Sequence, residues 1–166
     1  MKQTGMTLIE VMIVVLLIGL LSLAASPFTG AWMRSSDVSK TLAALEQAVG
    51  SAKSTALRNE AGVLGDVTAG ALCLTDNNLQ LVTAVAGAAA VDCASVSAAA
   101  VLWSTRIPES VDIKLGDADW TCSCFTNKGL LSSTAANCGS CGTNLTFTVI
   151  SGAGSDTEDH DTLSLY

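Results

Sequence analysis

Basic charge is scarce in this chain: 8 Lys and Arg stand against 15 Asp and Glu in 166 residues, a formal net charge of −7. Sequence-independent affinity for nucleic acid needs clustered cations to neutralise phosphates, so this balance disfavours DNA or RNA as a partner. A local patch can oppose the net charge, and Lys40, Lys53 and Arg58 fall within one predicted helix. Histidine occurs once, at His160, with no identifiable nucleophile to serve. No nucleophile elbow, phosphate-cradling Gly loop or metalloprotease motif occurs anywhere. No residue is a candidate for catalysis, no cofactor is called for, and the chain reads as a non-enzyme. A second long apolar run is also missing, because 82–91 is Ala- and Gly-rich and too short to span a bilayer.

The one long apolar run is G-M-T-L-I-E-V-M-I-V-V-L-L-I-G-L-L-S-L-A-A-S-P-F-T-G-A-W-M over 5–33, with Glu10 its single charge. As a helix rising about 1.5 Å per residue, 6–33 is long enough to cross a hydrocarbon core about 30 Å thick. A secretory signal peptide places its small-residue cleavage site after the apolar core. Here the small-residue junction Gly5-Met6 precedes it, so cutting there removes a leader, 1–5, and leaves the apolar segment on the mature protein. With Lys2 ahead of the span, the leader belongs on the cytoplasmic side and the rest outside.

Lys2, Gly5, Met6, Thr7, Leu8, Ile9 and Glu10, followed by an apolar helix, resemble the prepilin motif of the type IV pilin and pseudopilin family, which usually has Phe where this chain has Met6. The resemblance implies cleavage between Gly5 and Met6 by a prepilin peptidase and N-methylation of Met6. It also implies a single-pass protein of the bacterial inner membrane with a periplasmic domain. Inner-membrane machinery would assemble it with other pilin or pseudopilin subunits, through the helix that begins Thr7-Leu8-Ile9-Glu10. A carboxylate inside a membrane helix costs about 2.5–3.5 kcal/mol on insertion scales. In the family the matching Glu is thought to meet the N-terminal amine of a neighbouring subunit, here that of Met6; the alternative is a carboxylate that snorkels to the surface. Gly19 and Pro27 fall where pilins often carry helix-breaking residues.

The implied function is that of a structural subunit of a type IV pilus or a type II secretion pseudopilus. A-A-L-E-Q-A-V-G-S-A-K-S-T-A-L-R-N-E-A-G-V, A-L-C-L, F-T-N-K-G-L-L and L-T-F-T-V look like the branch of minor pilins and the general-secretion pseudopilin H. Beside this stand a minor pilin that grips DNA, a surface or an exported substrate, and a major pilin.

Downstream, Ser36 or Asp37 can cap an amphipathic helical segment over 34–60, in which Val38, Leu42, Leu45, Val49, Ala52 and Ala56 form one apolar face. That face is expected to pack on a sheet. Period-two patterning then predicts strands at 71–75, 79–85, 101–104, 111–115, 120–126, 145–151 and 162–166, with Asp76-Asn77-Asn78 turning the first hairpin. The segment 84–100 reads as loop. A long helix followed by a β-rich domain over 61–166 makes the fold class α+β, the pilin architecture with the sheet antiparallel.

Cysteines number 6, at Cys73, Cys93, Cys122, Cys124, Cys138 and Cys141. Their spacing allows a four-thiolate zinc site in the downstream cluster, but an exported domain favours disulfides. The gap after Cys93 suggests Cys73 with Cys93 and two bridges among the rest, with Cys122 open to either Cys138 or Cys141. The C-x-x-C is flanked by Asn137 and Gly139 in a turn-rich loop, a poor setting for thioredoxin-like chemistry. Asp156, Glu158, Asp159 and Asp161 crowd around His160; calcium is a weak alternative to a solvated hairpin tip there, because EF-hand spacing is absent.

Overall fold

A computed structural model describes residues 7–85, 91, 93, 96–132, 141–142, 144–152 and 158–165, with side chains omitted over 24–28. Helix α1, Leu8–Arg58, is followed by strands β1 (Thr68–Thr75), β2 (Asn78–Thr83), β3 (Val101–Arg106), β4 (Val111–Leu115), β5 (Ala118–Asp119), β6 (Cys122–Thr126), β7 (Thr146–Ser151) and β8 (Asp159–Ser164). The strands form two four-stranded sheets, ordered β3-β2-β1-β6 and β5-β4-β7-β8, and all their pairings are antiparallel. The fold is α+β, with the helix laid across both sheets.

α1 is one helix of 51 residues. It runs without interruption through Gly19 and Pro27, where a break was expected, and through Ser36 and Asp37, either of which could have capped its amphipathic half. Proline removes one helical N–H and crowds the carbonyl four residues back, a local cost that the turns on either side can carry. Asp37 is engaged inside the helix instead: Thr41 Oγ1 donates to its carbonyl at 2.8 Å and Lys40 Nζ lies 3.9 Å from its carboxylate. The helix stops at Asn59, which adopts the left-handed conformation (φ 45°, ψ 51°) and donates its N–H to Thr55 O at 3.1 Å. The Asn59 side chain then clasps Val63, accepting from its N–H and donating to its carbonyl, both at 2.8 Å.

The expected helical face is the one that packs. Val38, Leu45, Val49, Ala52 and Ala56 are buried and Leu42 is half-buried, while Glu46, Gln47 and Arg58 are exposed. Small side chains permit close approach to β1: a Cβ on Gly70 would stand 3.6 Å from both the Ala52 carbonyl oxygen and the Ala56 nitrogen. Leu72, Leu79 and Leu81 from one sheet and Phe147, Val149 and Ile113 from the other complete this core. The Trp120 ring meets Phe147 edge-on at 5.2 Å, and its indole N–H donates to Ser123 Oγ at 3.0 Å.

The β1–β2 hairpin turns at Asp76 and Asn77, both at positive φ, the turn type that follows strand twist. Trp120 lies outside the strands, although 120–126 was expected to be one; its N–H bonds to Ile113 O at 2.9 Å, between β5 and β6. Among its described residues the Ala-rich region expected as loop holds a 3-10 turn at Ala98–Ala100 and supplies Ala84, Val91 and Ala100 to a second apolar cluster with Ala71, Cys73, Val82 and Cys124. In β8, Asp159, His160 and Asp161 pair with Ser151, Ile150 and Val149, so these residues are strand and not the turn their composition suggested.

Candidate functional site

The N-terminal part of α1 shows how the motif is presented. Thr7 is the N-cap, extended at φ −78° and ψ 151°, and its carbonyl accepts from Glu10 N at 3.1 Å and Val11 N at 3.3 Å. Thr7 and Glu10 have the T-x-x-E spacing of a capping box, a signal legible in the sequence. The Thr7 side chain makes no cap hydrogen bond. Glu10 is therefore the acidic residue of a first turn whose free N–H groups favour negative charge.

Around it everything is apolar and uncovered. All residues of 7–23 are exposed, with Leu8 at 79% and Ile9 at 67%. Such a helix, hydrophobic on all sides, belongs in lipid or against other helices. Among the described residues no helix is long and apolar enough to cross a membrane. The described apolar side chains over 8–23 stop short of the roughly 20 residues a span requires. Gly5 and Met6, the expected cleavage and methylation positions, lie outside the described residues.

Other expected site residues separate into distinct places. Cys73 is bridged to Cys93 (Cα–Cα 5.4 Å) and Cys122 to Cys141 (Cα–Cα 4.9 Å). Cys124 is also disulfide-bonded, its sulfur 3.2 Å from that of Cys141, and Cys138 lies outside the described residues. Among the described residues no thiol is free and no group of His, Cys, Asp and Glu is arranged to hold a metal. Of the weak calcium candidates, Asp156 lies outside the described residues, Glu158 is exposed, and Asp159 and Asp161 sit on β8. Lys40, Lys53 and Arg58 do not converge: successive residues turn by about 100°, which puts Lys53 on another side of α1, and Lys40 and Arg58 are about 27 Å apart along the axis.

Sequence reasoning missed Arg34 and Trp32. Trp32 is 73% exposed, whereas the Arg34 Nε is buried with no hydrogen-bond partner among the described residues. Only the rotamer reveals this, so no sequence pattern could have found it.

Comparison with curated proteins and with solved structures gives no match. Residues 1–26 match the family model described as the prokaryotic N-terminal methylation motif, so this chain carries the prepilin-type signal of type IV pilins and pseudopilins.

Proposed function

We propose that the protein is a pilin-like structural subunit, a minor pilin or pseudopilin, that is cut between Gly5 and Met6, methylated on Met6 and assembled through α1. In this reading 6–33 is held in the inner membrane, the disulfide-bonded domain faces the periplasm, and chemistry resides in the peptidase and assembly machinery. The observation that carries it is the bare N-terminal part of α1, apolar on every side with Glu10 its one charge, joined to a domain that leaves it uncovered. Uncovered apolar surface of that extent needs lipid before assembly and neighbouring helices after it.

Mass spectrometry of the mature terminus, from cells with and without the peptidase, tests this. The expected product starts at Met6 with one added methyl group and disappears without the enzyme. A start near Ser26 would instead make this an ordinary secreted protein.

A further inference from the structure

We propose that Arg34 binds the phosphate of a phospholipid headgroup on the periplasmic face of the inner membrane, with Trp32 seated beside it in the headgroup layer. The proposal rests on the membrane reading above and adds a ligand and a site to it. Among the described residues Val38, at 3% exposed, is the first that α1 buries, so Trp32 and Arg34 lie on the stem between anchor and domain.

The stem carries chemistry suited to the membrane boundary. Trp32 and Met33 are exposed at 73% and 58%. Arg34 folds back along the helix: its Nη1 would lie 3.7 Å from a Cβ placed on Gly30, one turn nearer the N-terminus. Its Nε is buried with no hydrogen-bond partner among the described residues. Asp37, the nearest acid on the helix, faces Lys40 at 3.9 Å. The guanidinium is thus aimed toward the membrane.

The height agrees. If an upright helix enters the hydrocarbon at Thr7, a layer about 30 Å thick ends about 20 residues later, near Pro27. Gly30 then stands about 5 Å beyond that boundary, at the level of the phosphates, and Trp32 in the belt that aromatic rings prefer. A guanidinium fork matches two phosphate oxygens, whereas an ammonium is a point charge.

The full chain is reconstituted into phosphatidylethanolamine–phosphatidylglycerol vesicles containing lipids brominated either near the headgroup or deep in the acyl chain. The Trp32 signal is the part of the fluorescence lost in Trp32→Phe, which removes the contribution of Trp103 and Trp120. Shallow bromines should quench Trp32 more than deep ones. Arg34→Ala should abolish that preference, and Arg34→Lys should keep part of it. Near-ultraviolet dichroism unchanged in Arg34→Ala and Arg34→Lys shows that the domain is intact. If the wild type fails to float with vesicles, the membrane reading falls and this site with it. If it floats but Arg34→Ala leaves the quenching profile unchanged, the headgroup site alone is overturned. Should that unchanged profile accompany poorer filament incorporation, Arg34 serves a neighbouring subunit and not a lipid.

Discussion

Glu10 is the residue for which local structure and assembly offer competing explanations. At the third position of α1 it gains from the helix N-terminus, an effect worth about 0.3–1 kcal/mol. Burying its carboxylate in lipid costs about 2.5–3.5 kcal/mol, so the helix end alone does not account for it and a cation should be supplied. The amine of Met6 on a neighbouring subunit is the group we propose. Glu10→Gln keeps a hydrogen-bond acceptor at the capping position and removes the charge, whereas Glu10→Leu removes both. Both variants should insert, be cleaved and fold, and both should be depleted from sheared filaments relative to the membrane pool at matched expression. Glu10→Gln entering filaments as well as wild type would assign this residue to capping. The motif itself was legible because it is local, a run of residue types between Lys2 and Glu10. Arg34 was not, because its significance lies in which way a long side chain folds.

Among the elements, legibility followed the range of the interaction. The buried face of α1 could be read from steps of three and four, and β4 from strict alternation over Val111–Leu115. What sequence missed was decided at a distance. The acidic run of β8 became strand because β7 offers it Ser151, Ile150 and Val149 as partners, and acidic residues on the last strand of a sheet also discourage pairing with another chain. Segment 84–100 gained its packing role from the Cys73–Cys93 bridge, which ties it to the sheet. Leu45 is 0% exposed in the layer between helix and sheets, so Leu45→Ala should cost about 2–5 kcal/mol in denaturant unfolding with disulfides intact. Exposed Glu46 beside it is the control, and Glu46→Ala should change stability by less than about 0.5 kcal/mol. Equal effects would place the packed face elsewhere. Peptide mapping without reduction should also recover Cys124 linked to Cys138, each bridge adding about 2–4 kcal/mol; a free thiol at Cys138 would contradict that pairing.

At the scale of the whole molecule, one continuous helix has an exposed part and a packed part that share its backbone but little of its packing. The described side chains of 8–23 are exposed, and among the described residues the buried positions of α1 begin at Val38. The domain therefore draws its helical share of the core from the segment that carries Val38, Leu45, Val49, Ala52 and Ala56, and in the proposed reading the N-terminal segment contributes to lipid affinity and assembly. Distant, non-contacting parts make nearly additive contributions to stability. A chain of residues 34–166 exported to the periplasm should accordingly fold with the same disulfides and unfold at nearly the same denaturant midpoint as the full protein in detergent. It should neither float with vesicles nor enter filaments, because it lacks the lipid-facing surface and Glu10. Non-reducing mass mapping, denaturant unfolding and vesicle flotation of the two chains side by side make the comparison. A truncated domain that failed to fold, or that lost several kcal/mol, would show that the exposed half of the helix supports the domain after all. The separation of anchor from folded cargo would then have to be abandoned.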